Sequence, residues 1–197
     1  MFHDALVPFA ERRIIFMDLR VERTRKSIHN AFIQLRSKKP LEKISIKELS
    51  ELAVINKATF YAHYKDIYDL SDKLEDELIA SIIKTVPNPE NMISDSANMT
   101  TFITTAFTSH KALLYTIFSD SRTGIFIKKL DAALKELIYS YHPQYKDDLE
   151  MDIIFTMIIQ GTFYACISHP DDDIQEVSRI IGKVNSCLSA HYSKDDK

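Results

Sequence analysis

The stretch that decides the fold of this chain spans residues 44–66 and reads ISIKELSELAVINKATFYAHYKD. Ser45 and Glu48 have the S-x-x-E spacing of a capping box, in which each side chain accepts a hydrogen bond from the other residue's free backbone N–H. Ile44 before the cap and Leu49 at the fourth helical position have the spacing of a hydrophobic staple. The sequence therefore predicts a helix that begins after Ser45 and ends near residues 53–54.

A second short helix is predicted directly downstream of a tight turn. Asn56 is a good N-cap, and Ile55 with Phe60 repeats the staple spacing, so this helix is expected over about residues 57–64.

A longer helix is predicted upstream, where it must end before Pro40 because proline cannot continue it. Its apolar positions follow the i, i+3, i+4, i+7 pattern of an amphipathic helix: Ile28, Ala31, Phe32 and Leu35. A longer helix followed by two short capped helices predicts a tri-helical helix-turn-helix unit.

The exposed face of the second short helix has a composition suited to reading DNA. Phe60 faces inward, and Ala58 and Ala62 project to the opposite side, flanked by Thr59 and Tyr61. Small residues let a helix approach the major groove closely, where alanine methyls contact thymine methyls and hydroxyls reach base edges. The alternative is that both alanines serve only as helix formers and that the helix touches no DNA.

Charge is distributed unevenly along the chain, whose net charge is −3. Residues 17–65 contain 11 Lys and Arg against 5 Asp and Glu, a net charge of +6. Residues 66–197 contain 12 against 21, a net charge of −9. A basic segment joined to an acidic body indicates one end that binds a polyanion. Lys47 and Lys57 lie in the first turns of the two short helices, on the side expected to meet DNA. The alternative is ordinary variation among surface charges.

Residues 59–64, TFYAHY, resemble the DNA-binding signature T-[FL]-Y-x-[HY]-[FY] of the TetR family of transcriptional regulators. The family's DNA-binding domain matches about residues 21–70. The resemblance implies an all-α protein with a tri-helical helix-turn-helix domain at residues 17–66, and its helix-turn-helix at about 45–64. It also implies a helical bundle at residues 67–197 that dimerises and binds an effector.

The resemblance further implies a homodimer on a palindromic double-stranded DNA operator, with one recognition helix in each half-site. It assigns base or phosphate contacts to the two short helices, and phosphate-side positions to His63, Lys65 and the arginines of the first helix. The DNA-binding residues predicted in this way are Arg23, Arg25, Lys47, Asn56, Lys57, Ala58, Thr59, Tyr61, Ala62, His63 and Lys65.

Two positions depart from the family's pattern. Val54 stands where the turn usually has glycine; a β-branched residue disfavours a positive φ, so the turn is expected to be built differently. Ile67 stands where the family commonly has lysine, so that one phosphate contact is not expected here.

Beyond the helix-turn-helix, the pattern of apolar residues predicts only helices. A long helix is expected over residues 67–86, with breaks downstream at Ser109, Ser119–Thr123, His142–Pro143 and His169–Pro170. The helices that these breaks separate are expected near 95–108, 110–118, 124–141, 147–168 and 172–190.

The last two helices are predicted to form a four-helix dimer interface when a two-fold axis duplicates them. The final helix has apolar residues spaced 3, 4, 3, 4, a pattern suited to helix–helix packing, and the helix before it is apolar nearly all round. The alternative is that the pair packs only inside the monomer. The interface residues predicted are Ile153, Met157, Gly161, Tyr164, Ile174, Val177, Ile181, Val184 and Leu188.

Aromatic residues spread over the middle helices are candidates to line an effector pocket, as the family resemblance suggests. The alternative is that they form plain hydrophobic core. The pocket residues predicted are Phe102, Phe107, His110, Tyr115, Phe118, Phe126, Phe155 and Phe163.

Other classes of protein find little support in the sequence. No nucleotide-binding, zinc-protease or hydrolase motif occurs, and the seven histidines are dispersed, so no catalytic residue, metal site or cofactor is predicted. An interaction protein that keeps this fold but regulates through a protein partner remains an alternative.

The sequence also bears on the state of the cysteines, the location of the protein and the nature of residues 1–16. Cys166 and Cys187 are expected to be reduced thiols. The longest apolar run, 153–167, is short for a membrane span, so a cytoplasmic protein without a membrane partner is expected. Residues 1–16 lack a secretion signal and a helical pattern that joins the next segment; they are expected to form an extension before a natural start at Met17.

Overall fold

The computed structural model describes residues 9–93, 96–117 and 122–189, and within these ranges it is helical with no strand. The chain forms two compact units, Met1–Leu74 and Glu75–Lys197, which divide inside the fourth helix. Short 3-10 helices occur at Leu41–Lys43, Pro89–Asn91 and Pro143–Tyr145. The α-helices of the described residues are α1 (Phe9–Arg36), α2 (Ile46–Leu52), α3 (Lys57–His63), α4 (Ile67–Ile83), α5 (Ser96–Ile117), α6 (Thr123–Tyr141), α7 (Leu149–Ser168) and α8 (Ile174–Ser189).

Helix α1 corrects the expectation that no helical pattern joins residues 1–16 to the next segment, because it begins at Phe9 and runs unbroken to Arg36. No glycine or proline occurs within these limits, so nothing in the sequence interrupts the hydrogen-bond ladder. Residues 1–8 lie outside the described part of the chain.

The first unit has its core where α1 meets the two short helices. Ile28 and Phe32 of α1, Leu49 of α2 and Phe60 of α3 are all fully buried, as the sequence pattern predicts. A hydrogen bond from Ser27 Oγ to the Ala53 carbonyl, at 2.7 Å, joins α1 to the end of α2. The tri-helical unit is therefore confirmed.

Helix α2 begins at the predicted cap. Ser45 Oγ accepts the Glu48 backbone N–H at 3.2 Å, which is one half of the predicted capping box. The Glu48 carboxylate accepts a hydrogen bond from Lys39 Nζ, which ties the start of α2 to the loop before it.

The turn between α2 and α3 corrects the expectation for Val54. Its backbone takes the left-handed conformation, with φ of 56°, despite the β-branched side chain. The Ile55 N–H donates to the Ser50 carbonyl at 2.9 Å and the Val54 N–H donates to the Glu51 carbonyl at 3.2 Å. These two bonds form a Schellman motif, the arrangement in which glycine is usual. The turn is therefore built in the usual way, with strain at Val54.

The second unit differs from the sequence prediction at Ser109, where α5 is continuous instead of breaking into two helices. A serine inside a helix costs only about 0.5 kcal/mol relative to alanine, too little to end a helix that is packed on both sides of that position. Helix α5 packs closely against α7 and α8. The breaks predicted near His142 and His169 are confirmed.

A buried carboxylate joins α4 to α6 within the second unit. Glu75 is fully buried, and its carboxylate accepts hydrogen bonds from Arg122 Nε at 2.6 Å and Lys129 Nζ at 3.3 Å. Lys129 also donates to the exposed Asp76 at 2.8 Å. The desolvation of Glu75 is therefore compensated by two cations, as a buried charge requires.

Helix α7 is long and apolar enough to cross a membrane by length and composition alone. A core helix of a globular protein has the same composition, and here α7 packs against α5, α6 and α8. One side of it, including Phe155, Ile159 and Phe163, is buried in the core of the second unit.

Replacing Val54 with glycine should stabilise the first unit. The left-handed conformation costs an L-residue about 1–2 kcal/mol, and glycine removes this cost while losing about 0.5–1 kcal/mol through greater freedom in the unfolded chain. We therefore expect Val54→Gly to raise the free energy of unfolding by about 1 kcal/mol in urea titration. Val54→Ala is the matched control, because alanine keeps the Cβ and most of the strain; an equal gain from alanine would contradict the strain.

Replacing Glu75 with glutamine should destabilise the second unit. The substitution keeps the shape but removes the buried negative charge that Arg122 and Lys129 compensate, and we expect it to lower the free energy of unfolding by about 2 kcal/mol. Asp76→Asn is the matched control; because Asp76 is exposed, its loss should cost less than about 1 kcal/mol. Equal effects in denaturant titration would show that the burial of Glu75 is unimportant.

Candidate nucleic-acid interface

Helix α3 begins at the predicted cap, and the cap uses side chains that were predicted to contact DNA. Asn56 Oδ1 accepts hydrogen bonds from the Thr59 backbone N–H at 2.7 Å and from the Thr59 hydroxyl at 3.0 Å. Thr59 is half-buried, and its hydroxyl hydrogen points at the cap. Asn56 is exposed at the same end of the helix.

Four of the predicted residues form one exposed face on α3. Lys57 and Tyr61 lie one turn apart, as do Ala58 and Ala62, so that the two pairs are neighbours on the helix surface. All four are exposed, and 56% of Tyr61 is accessible. Phe60, on the opposite side, is fully buried. We call Lys57, Ala58, Tyr61 and Ala62 the reading face.

The buried side of α3 is fixed to α1 by Tyr64, the residue that ends the helix. Tyr64 is almost fully buried, and its hydroxyl shares a hydrogen bond with His29 Nε2 of α1 at 2.8 Å. Its ring also contacts the ring of Phe60, with centroids 5.7 Å apart. These contacts settle which face of α3 points outward. His29 was missed by the sequence analysis, because the pairing depends on a contact between residues far apart in the chain.

The junction between α3 and α4 is held by one carboxylate. Asp69 Oδ2 accepts the Lys65 backbone N–H at 2.9 Å and Lys73 Nζ at 3.0 Å. The backbone hydrogen bond from Lys65, followed by the hydrogen bond from Lys73, holds the pKa of Asp69 below its usual value. Lys73 Nζ also donates to the His63 carbonyl at 3.2 Å, at the end of α3. This network orients α3 relative to the first turns of α4.

The remaining predicted contacts surround this face or precede it on α1. Arg23, Arg25, Lys47 and Lys65 are exposed, and His63 is half-buried. Lys47 lies 4.0 Å from Glu51, an exposed ion pair of little energy. Ile67, at the position where the family commonly has lysine, is buried in the core.

The predicted dimer residues divide between an exposed and an inward set. Ile153, Met157, Gly161 and Tyr164 lie exposed along α7, and Val184 is exposed on α8. Ile174, Ile181 and Leu188 are half-buried, and Val177 is buried within the unit.

Tertiary contacts explain why the even apolar spacing of α8 does not mark a single outward face. Asn185 is buried and donates to Thr100 Oγ1 of α5 at 2.7 Å and Thr162 Oγ1 of α7 at 3.1 Å. The outward apolar face instead includes Ile180 and Leu149, which the sequence analysis missed.

The predicted effector pocket is packed core in the described residues. Phe102, Phe107, Phe126 and Phe163 surround a cavity of only about 10 Å³, which is a volume for one water molecule at most. The Phe163 ring packs against Phe107 and Phe126 with centroids 5.6 Å and 5.4 Å away.

The other predicted pocket residues lie around this core. Phe155 is buried against Tyr139, Tyr115 is exposed beside Phe107, and His110 bonds to the Ala106 carbonyl. Phe118 lies outside the described residues. In this structure the rings of Phe107, Phe126 and Phe163 pack together and fill the space between the helices. A larger open groove, of about 680 Å³, lies between α5 and α8 and is lined mainly by Thr and Ser.

The described side chains also bear on cofactors and thiols. In this part of the chain no group of three His, Cys, Asp or Glu residues is arranged to hold a metal ion. Cys166 and Cys187 are free, and burial raises the pKa of the Cys166 thiol to about 11.

Comparison with known proteins identifies the fold. No protein-family model and no curated protein matches the chain. A TetR transcriptional regulator from Rhodococcus sp. RHA1 matches in structure with a TM-score of 0.53 and 16% identity, covering 85% of this chain and 95% of that one. The structure of the dihydroxyacetone kinase operon activator DhaS gives a TM-score of 0.49 at 18% identity, covering 87% of this chain and 90% of that one. The chain therefore has the all-α fold of a TetR transcriptional regulator.

Proposed function

We propose that this protein is a sequence-specific DNA-binding transcriptional regulator that inserts α3 into the major groove. The observation that carries the proposal is the reading face, four adjacent exposed residues on a short helix whose opposite side is fully buried. The net charge of +6 on residues 17–65, where Lys and Arg number 11 and Asp and Glu number 5, supports a polyanionic ligand. Because the ligand proposed is DNA, we also propose that the protein is cytoplasmic.

We also propose that the protein acts as a homodimer through α7 and α8. Met157 and Tyr164 are 52% and 48% exposed, and Ile153, Ile180 and Val184 are exposed to a similar degree. Burying these apolar side chains against a second copy removes them from water, which is the main favourable term in obligate association. A two-fold axis would present two recognition helices to half-sites one helical turn, about 34 Å, apart.

The regulation we propose is repression that a small-molecule effector relieves. A dimer fits a palindromic operator only when its two recognition helices have the correct separation, so an effector that changes this separation releases the DNA. The aromatic core would have to rearrange to admit such a ligand, because its cavity measures about 10 Å³.

The same small cavity favours a second candidate, in which a protein partner takes the place of the small ligand. The exposed apolar face on α7 and α8 would then bind that partner. A direct DNA-binding measurement distinguishes a co-regulator that works only through a protein partner from a DNA-binding regulator.

Removing either polar side chain of the reading face should weaken operator binding. We expect Lys57→Ala and Tyr61→Ala each to reduce affinity at least about ten-fold for a dimer, in which two contacts are lost. Lys57→Ala should also lower the slope of log affinity against log salt by about two if Lys57 contacts a phosphate in each half-site. Fluorescence anisotropy with a duplex from the region upstream of the gene measures both quantities.

Lys128→Ala is the matched control for Lys57→Ala, because Lys128 is an exposed lysine on α6. It should leave DNA affinity unchanged. Absence of DNA binding by the unmodified protein at low salt would contradict the proposed function and favour the co-regulator.

A charge in the apolar face of α7 should prevent dimerisation. We expect Met157→Glu to give a monomer at micromolar concentration in sedimentation velocity, because the dimer would bury an unpaired carboxylate in each copy. Ile125→Glu is the matched control, since Ile125 is an exposed apolar residue on α6. A monomeric unmodified protein would contradict the dimer.

A further inference from the structure

The hydrogen-bonding capacity of α3 restricts the bases that it can read. In the major groove, guanine presents two acceptors, thymine an acceptor and a methyl group, and adenine an acceptor and an amino donor, whereas cytosine presents an amino donor. A helix face that carries donors and methyl groups therefore favours guanine and thymine. Recognition of adenine or cytosine by their amino groups needs an acceptor on the protein.

The residue of this region best suited to adenine is already engaged within the protein. Asparagine reads adenine through both its carbonyl oxygen and its amide group. Here Asn56 Oδ1 accepts two hydrogen bonds from Thr59, at 2.7 Å and 3.0 Å. Breaking them would leave the start of α3 uncapped, which destabilises the helix. A bidentate adenine contact by Asn56 therefore competes with its role as the cap of α3.

The exposed groups that remain are mostly donors and methyls. Lys57 carries an ammonium with three donors and no acceptor, and Ala58 and Ala62 each present a single methyl group. Residues 56–63 contain no carboxylate, the usual acceptor for the cytosine amino group. Tyr61 supplies a hydroxyl that both donates and accepts.

From this inventory we infer that each half-site presents thymine methyls to Ala58 and Ala62 and the acceptor edge of a guanine to Lys57. The inference rests on the proposed function, and it names the base chemistry that the reading face selects. A methyl–methyl contact requires close approach. Contact with thymine therefore accounts for the small side chains, Ala58 and Ala62, in the middle of the face.

The test begins with selection of duplexes from a random library by the full-length chain. Each thymine of the selected half-site is then replaced with uracil, which removes only the 5-methyl group. Loss of one buried methyl should weaken binding of the unmodified protein about four-fold for a change in one half-site. Changing both half-sites should weaken it about fifteen-fold.

Double-mutant cycles assign each methyl to its alanine. In Ala58→Gly or Ala62→Gly the uracil facing that position should weaken binding less than about two-fold, because the protein methyl is already gone. Because the thymine and uracil duplexes are compared on the same variant, the cost of placing glycine in the helix cancels. Ala132→Gly, at an exposed alanine of α6, is the matched control and should keep the full uracil effect.

The guanine is tested with 7-deazaguanine, which replaces the N7 acceptor by a C–H group. It should weaken binding of the unmodified protein several-fold and have little further effect on Lys57→Ala. The inference would be overturned if uracil and 7-deazaguanine weakened binding equally in the variants and in the unmodified protein. A selected half-site without thymine would also overturn it. Failure to select any duplex would instead contradict the proposed function.

Discussion

The burial of one face of α3 is the constraint on which the rest of the first unit depends. Phe60 is fully buried, and Tyr64 at the end of the helix is held by the hydrogen bond of 2.8 Å with His29. A seven-residue helix is not stable alone, so its structure comes from these contacts and from its caps. The same burial turns Lys57, Ala58, Tyr61 and Ala62 outward as a rigid face, which a sequence-reading helix requires.

The placement of α3 requires a strained backbone at Val54, in the turn before the helix. Val54 adopts φ of 56° although it is 88% exposed and has no packing role that would require valine. The Schellman bonds around it and the capping of α3 by Asn56 together fix the angle between α2 and α3. The strain is thus compensated by the hydrogen bonds and apolar contacts that the turn allows.

In the second unit the main feature is α7, which is apolar on nearly every side. Phe155, Ile159 and Phe163 are used inside the monomer, and Met157 and Tyr164 are left outside. An outward apolar face of this kind usually marks an interface. The aromatic residues that were predicted to line a pocket pack in the core of this structure, since their rings contact one another across α5, α6 and α7.

The sequence by itself determined the helix-turn-helix, since capping residues and apolar spacing are local signals: Ser45, Asn56 and Phe60 have the roles that they were predicted to have. Only the tertiary structure decided the continuity of α5 through Ser109, the left-handed Val54, the contact of His29 with Tyr64 and the filling of the aromatic core. Three of these features depend on packing between residues distant in the chain, whereas the left-handed conformation of Val54 is held by hydrogen bonds within its own turn. It also decided that the Thr59 hydroxyl, in addition to the predicted cap contact, donates to Asn56 Oδ1.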